Sequence, residues 1–261
     1  MKSTDKEYLL AKTAILAGTI ILSSGGETMR AEDTATRILI AGGATEPEVT
    51  AYSTSISISF IDYSGEVFSI TKRINRRTIH LNKITEANEI SRAFCSGKID
   101  VHEAYSLLCS VGTSASYSTA LVHLCTLLTP ATFTILLGGS FFDCIFAGAL
   151  GIFLVLGDVF NRRTPIHPAI YNFGLGLVIA LSGYLLSIIP SIEINLDTLL
   201  PGTIMALLPG VTITNGVHDM LNADYMSGGA RFIEAIVTAA TLAVGVGFGL
   251  GIGAALTGGV L

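Results

Sequence analysis

Residues 141–160 read FFDCIFAGALGIFLVLGDVF, twenty positions in which Asp143 and Asp158 are the only charges. About 20 apolar residues in a helix cross the ~30 Å hydrocarbon core of a bilayer. A helix half-exposed to water would carry a polar stripe, and this one carries none. The same texture recurs through the second half of the chain. It predicts membrane spans at about 116–137, 141–160, 169–189, 198–216 and 230–256.

The charges lie elsewhere. Residues 1–112 hold all of the 15 Lys and Arg except Arg162, Arg163 and Arg231, and all but seven of the 20 acids. Over the whole chain 13% of residues are charged and mean hydropathy is +0.64, whereas soluble domains carry about a quarter charged residues. So few charges cannot cover a water-facing surface, but they suit one facing lipid. A net charge of −5 gives no footing for nucleic acid. The expected fold class is an α-helical integral membrane protein with about five transmembrane helices and an N-terminal α+β domain. The domain boundary is expected to divide 1–112 from 113–261.

Within the first domain, the apolar run Ala14–Leu22 follows Lys2 and Lys6, as in a leader. However, Asp5 and Glu7 interrupt the basic region, and Ser23-Ser24-Gly25-Gly26-Glu27 offers no cleavage pattern. The run is too short to span a membrane and reads as a core helix over about 6–23. A second helix is expected from Glu27 to Ala41, stopped by Gly42-Gly43. Val49 and Ala51 lead into the alternating strand Ser55–Phe60. A turn at Asp62-Tyr63-Ser64-Gly65 and a returning strand from Glu66 to Ile74 complete a small antiparallel sheet. Two short helices follow, Ile84–Cys95 and one opened by Asp100 as N-cap with Glu103. The four cysteines form no CxxC pair and read as packed thiols.

Orientation follows from the one basic loop between spans, Asn161-Arg162-Arg163-Thr164, since positive loops stay cytoplasmic. Counting spans from it puts the N-terminal domain inside and the C-terminus outside, as a multi-pass protein of the cell (inner) membrane. An odd number of spans points to a missing part.

Several stretches resemble the threonine/serine exporter family. They are Ala17-Gly18, Ser24 to Asp33 (SGGETMRAED), Arg73 to Leu81 (RINRRTIHL), Gly138-Gly139-Ser140 with Asp143, Pro209-Gly210 through Thr214-Asn215, His218-Asp219, Ser227-Gly228, and Arg231 to Ala235. The resemblance covers nearly the whole chain. It is closest to the family's short form, a cytoplasmic domain with five helices. It implies export of threonine or serine together with a second, smaller membrane subunit; some short pairs are linked to succinate instead. One departure is His218, where the family pattern has Arg before Asp219.

Three clusters are candidates for the substrate and proton pathway. Asp143 lies just inside the second span, where an ionisable group is costly unless paired or wet. Buried among apolar groups, it would favour its neutral form and so carry a proton. Asp158, near the other end, is expected to pair with the Arg162-Arg163 loop. The fourth span carries Pro201-Gly202 and Pro209-Gly210, read as two breaks in a discontinuous helix. Half-helix ends there present free N–H groups to an anionic substrate group, with Thr212, Thr214 and Asn215 beside them. The third cluster is the polar hairpin of His218, Asp219, Asp224, Arg231 and Glu234, either a local Arg231–Glu234 ion pair or a gate. Alternating Gly245, Gly247, Gly249, Gly251 and Gly253 fit no nucleotide loop and read as a packing stripe for another helix, of this chain or a second one.

The expected function is proton-driven export of a small metabolite, with no cofactor and no metal. A dicarboxylate is the alternative substrate. A membrane-tethered enzyme is the alternative class, but the first domain offers only His80 and His102, with no GxSxG, HExxH or metal-spaced cluster.

Overall fold

The computed structural model describes residues 3–61, 65–75, 77–114, 117–189 and 193–258, with side chains from residue 6 onward. The turn expected at Asp62 to Ser64, Arg76 of the basic stretch, and the start of the acidic loop at Ser191 lie outside the described residues. The chain forms two compact units. One comprises Met1–Ser116 and Val211–Phe232, the other Tyr117–Gly210 and Ile233–Leu261.

The first unit is built around α1 (Ser3–Ser23). Ala11, Ala14, Ala17 and Ile21 on this helix are fully buried. A helix apolar on every side needs cover all round. Here α2 (Thr28–Ala41), α3 (Leu81–Cys95), α4 (Val101–Thr113) and strands β2 (Ser55–Ile61) and β3 (Val67–Arg73) supply it. Gly18 lets α2 and the sheet close in, because a Cβ there would strike Ile56. The apolar run Ala14–Leu22 is therefore a core helix, as its length required. α4 starts where expected, with the Asp100 carboxylate accepting from Glu103 N–H at 2.8 Å.

The sheet has the order β1-β2-β3, all antiparallel, with β1 at Thr45–Tyr52. Ile56, Ile58 and Phe60 of the central strand are buried, and Ser55, Ser57 and Ser59 alternate with them. On that other face the Ser57 and Thr71 hydroxyls meet at 2.9 Å. The reading of Val49 and Ala51 as a lead-in to the next strand is corrected: they belong to a separate strand that turns back at Ser53-Thr54. The apolar positions shift from odd (49, 51) to even (56, 58, 60) across that turn, which one continuous face cannot do. Pro47 and a register irregularity sit on β1, an edge strand where a missing N–H is tolerated.

The second unit holds α5 (Thr119–Leu136), α6 (Phe141–Arg163), α7 (Pro168–Ser187), α8 (Leu196–Ile204), a 3-10 turn at Met205–Leu207, and most of α10 (Tyr225–Thr257). α9 (Gly210–Leu221) and the first turns of α10 belong with the first unit. The core of the second unit is a seam of Ala147, Leu150, Leu154, Leu175, Ile179, Leu199 and Leu200. Outside that seam, Leu121, Leu124, Leu128, Ile145, Ile152, Leu156 and Ile170 are exposed. So large a bare apolar surface requires lipid or another helix. Among the described residues four helices, α5, α6, α7 and α10, are long and apolar enough to cross a membrane, and the broken pair α8–α9 makes up to five.

Small residues set the helix packing. A Cβ on Gly245 would strike Phe173 O, one on Gly249 would strike Leu177 O, and one on Gly253 would meet Tyr184 Cδ1 at 2.6 Å. The helix that this stripe admits is thus α7 of the same chain. Gly247 and Gly251 meet nothing within 4 Å. They line an open apolar groove of about 560 Å³ with Val244, Phe248 and Ile252.

Candidate functional site

The site in the first unit begins with how α1 ends. Gly25 takes a positive φ of 84°, so its N–H bonds to Leu22 O while Gly26 N–H reaches back to Ile21 O. This is the glycine-terminated helix end that satisfies the last carbonyls. It leaves the Gly25 and Gly26 carbonyls pointing away, and the α9–α10 hairpin takes both. Asn215 Nδ2 donates to Gly25 O at 2.8 Å, and Arg231 Nη2 donates to Gly26 O at 3.0 Å. From the other side, Thr78 N–H bonds to Ser23 O and His80 N–H to Ser24 O.

Asp219 occupies the N-terminus of α2. Glu27 is the N-cap residue but makes no side-chain cap. Instead Asp219 Oδ1 accepts from Thr28 N–H at 3.4 Å, while its other oxygen lies 3.0 Å from Arg231 Nε. Asp219 is 2% exposed and Arg231 4%. A carboxylate at a helix N-terminus is favoured by the free N–H groups and the helix dipole. Around this pair, Thr28 Oγ1 and Ser227 Oγ are buried with no hydrogen-bond partner among the described residues. His218 Nδ1 lies 3.7 Å from Glu27 Oε2 at the exposed rim. Asp224 Oδ1 caps α10 through Ser227 N–H at 3.1 Å. Close packing of α9 on α10 depends on Gly216 and Gly228, since a Cβ on Gly228 would lie 2.8 Å from Gly216 O.

Glu32, one turn into α2, accepts from Ala51 N–H at 2.7 Å. Partial burial pushes its pKa up, and nearby Asp224 and Asp219 push the same way against the Ala51 hydrogen bond. Four carboxylates thus meet at this site, Glu27, Glu32, Asp219 and Asp224, with Arg231 on Asp219 and Arg30 3.9 Å from Glu27.

Of the residues expected to carry function, the structure brings Asn215, His218, Asp219, Asp224 and Arg231 to this place. Arg231 pairs with Asp219 across the hairpin. Thr212 and Thr214 lie on the first turns of α9, and Glu234 is exposed on α10 in the other unit. Of the two expected helix breaks, only the second occurs. α8 runs through Pro201, and Gly202 is needed there because a Cβ would strike Thr134 Oγ1. The chain breaks at Leu208, which is extended with ψ 138°, and α9 starts at Gly210 after Pro209.

Asp143 belongs to the second unit. It is the third residue of α6 in a reciprocal cap. Ser140 N–H donates to Oδ2 at 2.8 Å, and Asp143 N–H donates to Ser140 Oγ at 3.1 Å. Asn195 N–H donates to Oδ1 at 2.9 Å, and Thr198 Oγ1 to Oδ2 at 3.3 Å. The expected setting, a carboxylate among apolar groups, is corrected: Asp143 is 1% exposed but well supplied with donors, none of them a cation. It borders an open cleft of about 870 Å³ that Glu193 and Asp197 also line. Asp158 pairs with Arg162 at 2.8 Å, as expected, and lies 3.7 Å from His123 Nε2.

The sequence reading missed Glu32, Thr28 and Ser227 as individual actors. Thr28 and Glu32 lie in the SGGETMRAED stretch and Ser227 in Ser227-Gly228, both already singled out, but no local signal tied the first stretch to a hairpin some 190 residues on.

A sequence profile for the family described as "Putative threonine/serine exporter" matches residues 12–253. An uncharacterized protein of Schizosaccharomyces pombe is 23% identical over 204 residues, covering 75% of this chain and 24% of that protein. The pheromone-regulated membrane protein 10 of Kluyveromyces lactis is 27% identical over 135 residues, 51% of this chain and 13% of that protein. The chain thus spans a quarter or less of the length of these relatives. No solved structure matches it significantly.

Proposed function

The chain belongs to the threonine/serine exporter family, and on that premise we propose that it is one subunit of a proton-driven secondary exporter of threonine or serine. One observation carries the substrate reading: a buried Asp219–Arg231 pair flanked by two buried hydroxyls, Thr28 and Ser227, without hydrogen-bond partners among the described residues. A hydroxy amino acid is a zwitterion with one more polar group. Its carboxylate matches Arg231, its ammonium matches Asp219, and its hydroxyl matches Thr28 or Ser227. Substrate opens the pair by replacing each charge's partner, so no buried charge is left bare. The same step frees the Gly26 carbonyl and the first turn of α2 from the hairpin, which makes the pair a gate. The excess of carboxylates over guanidiniums at this site, Glu27, Glu32, Asp219 and Asp224 against Arg231 and Arg30, disfavours a dicarboxylate.

In this reading the N-terminal domain is cytoplasmic, the end of α10 is outside, and the protein sits in the cell (inner) membrane. The basic Arg162-Arg163 loop and the presence of the α9–α10 turn in the same unit as α1–α4 both support that orientation. Asp143 and its acidic cleft then serve the proton pathway at the outer face, and the α9 N-terminus with Thr212 and Thr214 serves the substrate. A second, smaller membrane subunit covers the Gly247–Gly251 groove.

The test is export of labelled threonine from vesicles containing the complete transporter under an imposed pH gradient. Asp219→Asn and Arg231→Gln each remove one partner of the buried pair, at a cost of about 3–5 kcal/mol. The double change Asp219→Asn with Arg231→Gln removes both charges and is expected to recover much of the stability. Export by the double variant is expected to stay at least tenfold below normal at matched folded protein. Recovery of export along with stability would reduce the pair to a structural tie.

A further inference from the structure

A second polar cavity lies wholly within the first unit, between α2 and α3. Arg30, Thr34 and Arg37 recur at helical spacing on one face of α2, and Asn88, Ser91 and Arg92 on one face of α3. The cavity they enclose measures about 340 Å³, the size of a small-ligand pocket. Two packed amphipathic helices ordinarily meet on apolar faces. Here Thr34 and Ser91 are each 5% exposed, yet they are polar and border the cavity. Thr34 Oγ1 donates to Asn88 Oδ1 at 3.3 Å across the neck. The one acid in the lining, Asp33, is engaged by Arg37 Nε through both oxygens at 2.8 and 2.9 Å. Arg30 reaches Glu27 only at 3.9 Å. Three guanidiniums against one carboxylate leave the cavity with a formal charge of +2, in a protein whose net charge is −5.

We infer that this cavity binds a small multivalent oxyanion of the phosphate type, at a site separate from the Asp219–Arg231 gate. Guanidinium forks match the oxygens of phosphate and bind them through paired hydrogen bonds. The Ser91 and Thr34 hydroxyls and the Asn88 amide complete a donor set. α2 connects this cavity to the gate, since its first turn is held by Asp219 and its middle forms the cavity wall. An anion bound here biases the helix on which the gate closes.

The full-length chain in neutral-lipid nanodiscs, titrated with sodium phosphate at ionic strength held constant by sodium chloride, tests this. Saturable stabilisation against heat is expected. Arg92→Gln and Arg30→Gln each weaken the apparent affinity at least tenfold, and Arg163→Gln, far along the chain, leaves it unchanged. All three arginines are exposed, so the variants are expected to fold. A stabilisation that rises without saturating, or one equal in all variants, overturns the proposal. A second arm replaces the neutral lipid with an anionic phospholipid. Loss of the phosphate response there assigns the site to a lipid headgroup, and its persistence assigns it to a soluble anion.

Discussion

At the scale of single residues, Asp219 does three things with two oxygens: it holds the first turn of α2, balances Arg231, and through Arg231 fixes the Gly26 carbonyl. Its neighbour Glu32 is set to respond to pH. With its pKa raised in the folded protein, Glu32 binds a proton more tightly folded than unfolded. Its contribution to stability is therefore present below the ordinary glutamate pKa and is lost as pH rises through the folded value. Glu32→Gln keeps an acceptor for Ala51 N–H and removes the charge facing Asp219 and Asp224. The expected outcome is a variant more stable than the parent above neutrality, with the difference shrinking to nothing below about pH 4. Thermal unfolding across pH checks it, and a difference independent of pH would exclude Glu32 as the titrating group. Asp143→Asn is expected to act differently. The carboxylate accepts three hydrogen bonds, one within its own helix cap and two beyond it, and an amide turns one acceptor oxygen into a donor facing N–H or hydroxyl groups. A loss of about 1–3 kcal/mol is expected, read from the unfolding midpoint in detergent. No loss would mean that those hydrogen bonds add nothing to stability.

At the scale of elements, the two glycine stripes of α10 have opposite requirements. Gly245, Gly249 and Gly253 admit α7, while Gly247 and Gly251 face open space. Gly249→Leu is expected to separate α7 from α10, because even its Cβ would strike Leu177 O and lie 2.9 Å from Leu181 N. Backbone atoms cannot step aside, so aggregation or loss of folded protein on size exclusion should follow. Gly251→Leu is expected to fold like the parent and to lose co-purification of the second membrane subunit. If Gly251→Leu keeps that subunit, the open groove is a lipid-facing surface. Sequence pattern revealed that a glycine stripe existed but not which helix filled it, since small-xxx-small spacing is the same on both sides. In the same way, Pro201-Gly202 and Pro209-Gly210 look alike as dipeptides. The helix runs through the first because Gly202 is pressed against Thr134, and it breaks at the second.

At the scale of the whole molecule, the orientation proposed above predicts a cytoplasm-only fluorescent reporter glowing at Met1 and dark after α10; the reverse would invert the exporter. The chain itself announced its membrane half, because the scarcity of charge after residue 112 and the ~20-residue apolar runs follow from the bilayer's thickness and low polarity. It also announced the core helix at Ala14–Leu22, the Asp100 cap and the antiparallel sheet, since caps, period-two alternation and run length are local physics. The three-strand count was within reach in the odd-to-even shift of the apolar positions around Ser53-Thr54. What no window of sequence could contain is the meeting of Gly25, Gly26 and Thr28 with Asn215, Asp219 and Arg231. Those contacts join segments about 190 to 205 residues apart. They exist because a glycine-terminated helix leaves two carbonyls and one helix N-terminus facing outward, and only a distant hairpin supplies the amide, guanidinium and carboxylate that satisfy them.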